Sequence, residues 1–369
     1  MAVIVALDRG SVHWSGDLRL GGVVAIKTVD GLIEARLVAD ATGLQDLAAK
    51  YAIGITPAVA VLIDRDDPHD PMAAQFVPRL EELVTTSDER GDPIGDLAHS
   101  PVSGIVHRYP DRVLLKAVHV CPVYCRFCFR REMVGPAGLG TLSPAELDGA
   151  IDYIAAHPDI WEVIMTGGDP LVLSPRRLTA IMEQLAGIDH VKIVRFHTRV
   201  PVVEPERVDV AMIGALKASG KTVHLALHAN HPREFSDGAC GAIARLVDAG
   251  IVLVSQSVLL KGVNDDVETL VALMKTFVEH RVKPYYLHHP DLAPGTGHFR
   301  VSVAEGQALV AALRGKISGL CQPTYILDIP GGYGKADIGQ KAIAGQDGCF
   351  TVRDYEGGEH QYPPETQGD

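Results

Sequence analysis

Three cysteines, Cys121, Cys125 and Cys128, lie close together with the spacing C-x3-C-x2-C, directly after an apolar run. Cysteine sulfur is the usual ligand of the irons in a [4Fe–4S] cluster, and four ligands would close such a cluster. Three local ligands leave one iron open to a substrate or a cofactor, which a reactive cluster needs. The alternative is structural zinc, which takes four ligands, usually from two separated pairs. No second pair exists in the sequence, so the spacing favours the cluster.

Arg108 and Arg112 lie four residues apart, and Lys335 ends the glycine-rich run Pro-Gly-Gly-Tyr-Gly-Lys. An arginine side chain presents a planar, charged fork that suits a phosphate group. A lysine on a glycine-rich loop at the end of a strand can reach a cofactor aldehyde and form a Schiff base. Without further context, a solvated or salt-bridged surface pair is the better explanation of two such arginines, and most single lysines are surface residues.

Asp291 and Asp328 each follow a strand-like run, so both carboxylates could face the mouth of one barrel. Two carboxylates in a dry pocket repel each other unless a cation lies between them, and the ammonium group of a lysine side chain would serve. For Asp291, which precedes Pro294-Gly295, turn chemistry is the alternative.

The run Gly167-Gly168-Asp169 follows the second predicted strand. Two glycines at a strand end let the backbone approach a ligand closely, although a simple turn has the same sequence. Other polar side chains lie at the ends of the fourth and fifth predicted strands, where a packed or a cofactor-contacting position is possible. They are His228, Asn230, His231 and Gln256.

The cysteine motif resembles that of the radical SAM superfamily, in which the open iron binds S-adenosylmethionine. The flanking runs His107-Arg-Tyr-Pro-Asp-Arg112, Arg130-Arg131 and Pro330-Gly-Gly-Tyr-Gly-Lys335 resemble the lysine 2,3-aminomutase family. The resemblance extends from about residue 100 to about residue 340. Tyr333 departs from it, because many members have glycine there, and this side chain could narrow the pocket.

The resemblance implies three cofactors. The cysteines would bind a [4Fe–4S] cluster, and Gly167, Gly168 and Asp169 would lie against the amino group of S-adenosylmethionine. The arginine pair would hold the phosphate of pyridoxal 5′-phosphate (PLP), and Lys335 would bind its aldehyde. His228 and Gln256 would contact a cofactor.

The resemblance also implies the substrate and the reaction. Arg130 would bind the carboxylate of L-lysine, and Asp291 and Asp328 would bind its distal ammonium group. The enzyme would be an isomerase that converts L-lysine to β-lysine (3,6-diaminohexanoate) by a radical shift of the amino group. It would take electrons from a donor such as flavodoxin or ferredoxin and would be a homo-oligomer.

Three alternatives stay open. The run from Cys125 to Arg131 and the run Tyr285-Tyr-Leu-His288 resemble the branch that makes β-lysine for elongation factor P. A pure electron-transfer protein would have no need for Lys335 or for the arginine pair. A glutamate-specific enzyme would place two aspartates against an acidic side chain, which is repulsive.

The elements that must position these residues alternate between strand-like and helical patterns. Such βα repeats predict parallel strands, which suit a closed or partial barrel and an open doubly wound sheet equally well. The resemblance implies the former, a partial (β/α)6 radical SAM barrel with its chemistry at the carboxyl ends of the strands. Predicted strands are 113–120, 162–166, 192–197, 222–228, 252–258, 284–288 and 324–329. Predicted helices are 44–51, 144–157, one that begins at 175, 207–219, 241–249, 266–281 and 304–317.

These patterns and the resemblance together predict three parts of the chain. Residues 1–100 form a small helical cap and an irregular segment, residues 101–340 form the barrel with the PLP site, and residues 341–369 form a tail that frays.

The composition bounds the function class. The chain has 369 residues, of which 47% are hydrophobic, so it can bury a large core. Its net charge of −12 argues against binding to nucleic acid or to a membrane surface. No run reaches the ~18 apolar residues that a membrane span needs. An iron–sulfur cluster needs a reducing compartment, so the prediction is a cytoplasmic protein.

Overall fold

The computed structural model describes residues 25–134, 140–339, 343–346, 349–354 and 356–362. A nine-stranded sheet forms the centre of the molecule, and its strands are hydrogen-bonded in chain order. The strands are β1 (Ile105–Tyr109), β2 (Arg112–Val118), β3 (Glu162–Gly167), β4 (Ile193–Thr198), β5 (Thr222–His228), β6 (Val252–Val258), β7 (Lys283–His288), β8 (Thr324–Ile329) and β9 (Gly334–Asp337).

The strand order decides between the two architectures that the sequence pattern allowed. Strands β2 to β8 are all parallel, and each pairs with the next one along the chain. A doubly wound sheet would reverse its order at a switch point, whereas winding in one direction curls a sheet into a barrel. The predicted partial (β/α) barrel is therefore confirmed, and the seven predicted strands correspond to β2–β8.

Among the strands that the structure describes, no pairing closes the barrel. The strands β1 and β9 lie at the two edges of the sheet and run antiparallel to their neighbours. The hydroxyl oxygen of Tyr109, at the end of β1, accepts a hydrogen bond from the backbone N–H of Lys335 in β9 at 2.9 Å. This contact brings one edge of the sheet to the other and places Lys335 beside the hairpin of β1 and β2.

Four helices come before the barrel in the described residues, and seven more connect its strands. Before the barrel come α1 (Val29–Glu34), α2 (Leu44–Lys50), α3 (Pro57–Ala60) and α4 (Pro71–Phe76). Within it come α5 (Pro144–Ala155), α6 (Pro175–Ala186), α7 (Val200–Val203), α8 (Val210–Lys217), α9 (Asp237–Asp248), α10 (Val267–Glu279) and α11 (Val303–Leu313).

Serine side chains cap the starts of two of the predicted helices. The hydroxyl of Ser143 accepts a hydrogen bond from the N–H of Glu146 at 3.3 Å, and the Glu146 carboxylate accepts one from the Ser143 N–H at 2.8 Å. This capping box satisfies two N–H groups at the start of α5. Ser174 caps α6 in the same position relative to a proline. In the described ranges no helix is both long and apolar enough to cross a bilayer.

The carboxyl-terminal prediction was wrong for the part that the structure describes. A second, three-stranded antiparallel sheet forms from β10 (Ile343–Gln346), β11 (Cys349–Arg353) and β12 (Glu359–Tyr362). The high glycine and acidic content of this stretch suggested fraying, but backbone pairing between neighbouring strands satisfies its hydrogen bonds instead. Residues 1–24 of the predicted cap and residues 363–369 of the predicted tail lie outside the described residues.

Candidate active site

A cavity opens at the carboxyl ends of the barrel strands, and it is lined by all fourteen residues to which the family resemblance assigned a role. Parallel strands end on the same side of a barrel, so side chains that are far apart in sequence meet there. The predicted residues in its lining are Arg108, Arg112, Cys121, Cys125, Cys128, Arg130, Gly167, Gly168, Asp169, His228, Gln256, Asp291, Asp328 and Lys335. The roles assigned to them remain predictions.

The three cysteines lie on the loop that follows β2. Arg199, a buried residue just beyond β4, donates a hydrogen bond from Nη1 to the Sγ of Cys125 at 2.9 Å. Burial and the neighbouring Cys125 raise the pKa of Cys128 to about 11, and burial also raises the pKa of Cys121 well above its usual value. These thiols therefore need a bound metal to supply the positive charge that makes them thiolates.

A buried carboxylate fixes this cysteine loop to the segment before the barrel. Glu82 accepts hydrogen bonds from the Nε of Arg126 at 2.9 Å and from its Nη2 at 2.6 Å, and it also accepts one from Arg131. Burial opposes the ionisation of Glu82, but the two guanidinium groups outweigh it and hold the pKa of Glu82 below its usual value. Glu82, which lies before the barrel, thus anchors the cysteine loop through Arg126 and Arg131.

Replacing Glu82 with glutamine should weaken the protein and its metal site together. The change leaves two buried guanidinium groups without their counter-ion, and breaking a buried pair in this way costs ~3–5 kcal/mol. The free energy of unfolding of the metal-free protein, from urea titration, should fall by about that amount. Iron bound per chain should also fall. The exposed neighbour substitution Glu81→Gln should change neither, and equal stability of the two variants would contradict this assignment.

The two glycines at the end of β3, Gly167 and Gly168, are explained first by the packing of the protein's own backbone. A Cβ atom on Gly168 would lie 2.3 Å from the carbonyl oxygen of Val120, and Gly167 has φ +111°. The N–H of Gly168 donates to the carbonyl of Val118 at 2.6 Å. The glycines therefore let the end of β3 press against the segment that leads into Cys121.

The carboxylate of Asp169 belongs to the same junction. It accepts hydrogen bonds from the hydroxyl of Thr198 at 2.7 Å, from the N–H of Arg199 at 2.7 Å and from the N–H of Leu171 at 3.0 Å. Burial raises its pKa. Asp169 thus joins the ends of β3 and β4, and through Arg199 it supports the contact to Cys125.

The arginine pair occupies the β1–β2 hairpin. Arg108 donates from Nη2 to the carbonyl of Ile94 at 2.7 Å and to Asp96 at 3.2 Å. Arg112 stacks on the ring of Tyr109 at 3.9 Å. The side chain of Arg108 is only 11% exposed and that of Arg112 33% exposed. The interpretation as a solvated surface pair is therefore wrong for Arg108.

Sequence reasoning missed Asp96, a fully buried carboxylate in the irregular segment before the barrel. Its Oδ2 accepts hydrogen bonds from the Nε of Arg130 at 3.1 Å and from its Nη2 at 2.9 Å, and Lys116 Nζ lies 4.0 Å away. Burial raises the pKa of Asp96, but these cations and Arg108 outweigh the effect and lower it. The surrounding residues 88–96 have the composition of a surface loop, so no local signal marked this residue.

The two aspartates predicted to bind an ammonium group are in different states. Asp328 is buried, accepts a hydrogen bond from the Nζ of Lys335, and lies 3.2 Å from the Nδ1 of His288. Although burial opposes its ionisation, these contacts hold the pKa of Asp328 well below its usual value. Burial and the charge of Asp328 raise the pKa of Asp291 to about 8. Near neutral pH the pair therefore carries one negative charge.

His228 and Gln256 end two neighbouring strands, β5 and β6, and are partners in their register. The ring of His228 lies 5.6 Å from that of Phe127 on the cysteine loop. Within the described residues its Nε2 has no hydrogen-bond partner, and burial lowers its pKa well below the usual value. The same is true of His197, a cavity residue that sequence reasoning did not select.

Three residues considered from the sequence do not line the cavity. Asn230 is buried and donates to the side chain of Gln75 at 3.1 Å, and His231 caps a short 3-10 turn. Tyr333 is 81% exposed, so it does not narrow the pocket.

Comparison with known proteins agrees with this geometry. The sequence model of the Radical SAM superfamily matches residues 115–274. L-lysine 2,3-aminomutase of Clostridium subterminale is 39% identical over 316 residues, which cover 85% of this chain and 76% of that protein. The enzyme of the same name from Acetoanaerobium sticklandii is 40% identical over 306 residues, covering 83% and 73%. Glutamate 2,3-aminomutase of Clostridioides difficile is 35% identical over 295 residues, covering 80% and 69%.

A radical SAM domain implies an iron–sulfur cluster and S-adenosylmethionine, and the thiols fit a cluster. Among the described residues no group of three His, Cys, Asp or Glu side chains is arranged to hold a single metal ion. In a cluster each cysteine binds a different iron, so the three thiols need not converge on one centre. The chain is a radical SAM enzyme that belongs to the lysine 2,3-aminomutase family.

Proposed function

We propose that this enzyme converts L-lysine to β-lysine by moving the α-amino group to the neighbouring carbon. The observation that carries the proposal is the pairing of Asp291 and Asp328 in the same cavity as Arg130. A guanidinium group suits the carboxylate end of an amino acid, and two carboxylates suit an ammonium group at the other end. The relatives named L-lysine 2,3-aminomutase support the same substrate.

The site also supports PLP as a cofactor. Lys335 offers an amine in the cavity, and Arg108 and Arg112 offer two guanidinium groups for a phosphate. When bound, this cofactor would supply the conjugated ring that delocalises an unpaired electron during migration. The side-chain ammonium group of Lys335 forms an ion pair with Asp328. Once Lys335 no longer carries an ammonium group, Asp328 becomes available to the ammonium group of the substrate.

Cys121, Cys125 and Cys128 would hold the [4Fe–4S] cluster, whose open iron would bind S-adenosylmethionine and generate the initiating radical. His197 and His228, which are half-buried in the cavity wall, stay neutral because desolvation lowers the pKa of each. We further propose a flavodoxin or ferredoxin as electron donor, a reducing compartment such as the cytoplasm, and a homo-oligomer.

Anaerobic turnover tests the proposal directly. The reconstituted enzyme, with S-adenosylmethionine, PLP and a reductant, should convert L-lysine to β-lysine, as measured by amino-acid analysis. L-glutamate should give no β-glutamate, because its side-chain carboxylate would face Asp291 and Asp328. Turnover of glutamate in place of lysine would reject the substrate and leave the radical SAM aminomutase family unaffected.

Replacing Asp291 with asparagine should reduce kcat/KM for lysine by about one to two orders of magnitude. The change keeps the shape of the side chain but removes a charged hydrogen bond of ~1.5–3 kcal/mol in a desolvated site. Asp291 is a cleaner target than Asp328, because Asp328 also pairs with Lys335. The exposed substitution Asp159→Asn serves as the matched control and should leave kcat/KM unchanged.

The pH dependence of the KM for lysine provides a second test of Asp291→Asn. With a pKa of about 8, Asp291 is protonated in the empty site at neutral pH and must lose its proton to bind an ammonium group. The KM for lysine should therefore fall as the pH rises towards 8 in the wild type. Asp291→Asn should lose this dependence. An unchanged pH profile and unchanged kcat/KM would together reject Asp291 as a substrate ligand.

A further inference from the structure

Asp96 connects Arg108 and Arg130, two arginines for which separate roles were predicted from the sequence. Its Oδ1 accepts a hydrogen bond from Arg108 at 3.2 Å, and its Oδ2 accepts two from Arg130 at 2.9 and 3.1 Å. The carboxylate is fully buried and comes from a segment outside the barrel strands. One carboxylate thus lies between the arginine proposed for the cofactor phosphate and the arginine proposed for the substrate carboxylate.

The position of Asp96 is itself fixed from the backbone. Its N–H donates to Oδ1 of Asp92 at 2.9 Å, and its carbonyl accepts from the hydroxyl of Ser100 at 2.8 Å. Asp92 also accepts from the N–H of Leu97 at 2.8 Å. The turn around Asp96 is therefore held on both sides, so its carboxylate is a rigid point of attachment.

We propose that Asp96 is a positioning residue that orients Arg108 for the cofactor phosphate and Arg130 for the substrate carboxylate. The inference rests on the proposed function, because it assigns an anion to each arginine. It adds a residue that touches neither anion and acts through the two guanidinium groups.

The geometry of the guanidinium groups supports this role. A guanidinium carries five donors in a fixed plane, so committing one edge fixes the direction of the other. Arg130 commits Nε and Nη2 to Asp96, which leaves its Nη1 donors for another partner. Arg108 commits Nη2, and within the described residues its buried Nε has no acceptor. Both side chains line the cavity.

Asp96 affects both the charge and the orientation of its neighbours. Arg108, Arg130 and Lys116 bring three positive charges to one carboxylate. Burial lowers the pKa of Lys116, and the charge of Asp96 acts against this effect. Loss of the carboxylate would therefore lower the pKa of Lys116 further, and the two arginines would lose their fixed directions.

The experiment compares PLP with pyridoxal, which lacks the phosphate, in binding to the folded protein. The dissociation constants come from titration of the absorbance of the protein-bound cofactor. In the wild type PLP should bind more tightly than pyridoxal. In Asp96→Asn this preference should fall by about tenfold, because Arg108 must be immobilised on binding. A merely structural defect would weaken both ligands equally and leave the preference unchanged.

Controls separate the possible results. Asp88→Asn, an exposed change in the same segment, should keep the wild-type preference. Asp92→Ala removes the acceptor that holds the Asp96 backbone, so it should reduce the preference by less than Asp96→Asn. If Asp96→Asn does not fold, Asp92→Ala decides the question. An unchanged or increased preference in the folded variants would overturn the inference alone. A wild type that binds PLP no better than pyridoxal would overturn both the inference and the proposed phosphate site.

Discussion

Replacing Cys125 with alanine should abolish iron binding and turnover while the chain still folds. In the proposed site three thiols would hold three irons of the cluster, and two thiols would leave two irons without a protein ligand. Without the cluster no electron reaches S-adenosylmethionine, so activity should fall below detection. The fold should survive, because Cys125 lies on a loop whose neighbours Arg126 and Arg131 are held by Glu82. Iron analysis and the circular dichroism spectrum of the reconstituted variant provide the measurements.

The matched control for this experiment is Cys240→Ala. Cys240 lies on α9, away from the cysteine loop, and its sulfur contacts the ring of His280 at 3.3 Å. This variant should retain the wild-type iron content and turnover. Full iron content in Cys125→Ala would reject the cluster assignment, whereas equal loss in both variants would indicate a general effect of thiol removal.

Replacing Lys335 with alanine should abolish covalent attachment of PLP, and with it turnover of lysine. Other lysines can react with an aldehyde, but among the described residues Lys335 is the one lysine that lines the cavity together with the arginine pair. The visible absorbance of covalently bound PLP should disappear from the purified variant. The fold should persist, because the Lys335 side chain is 31% exposed and its backbone N–H still bonds to Tyr109. Iron content should match the wild type, since no cluster ligand is touched.

Lys275→Ala supplies the comparison for this variant, since Lys275 is an exposed lysine on α10. It should keep both the absorbance and the activity. Retention of the visible band in Lys335→Ala would mean that Lys335 is an ordinary surface lysine, which was the alternative interpretation of the sequence. Loss of the band with activity retained would mean that PLP is not needed for the reaction.

The sequence by itself determined the features that depend on short stretches of chain. The seven strands β2–β8 are indicated by apolar runs of neighbouring residues, and each appears in the structure where it was predicted. The resemblance then brought fourteen residues to one site, and all fourteen line one cavity. Parallel strands make this possible, because residues that follow them must meet at one side of the barrel.

Only the tertiary structure decided how these residues are supported. Strand order settled the choice between a barrel and an open sheet, and backbone contact with Val120 explained Gly168. Asp96 lies 34 residues before Arg130, and Glu82 lies 44 residues before Arg126. No periodicity or spacing links partners so far apart. A buried ion pair depends on where two segments meet in space, and that is fixed by packing of the whole chain. The same burial and proximity set the protonation states of Asp291 and Asp328, which sequence shows only as two identical carboxylates.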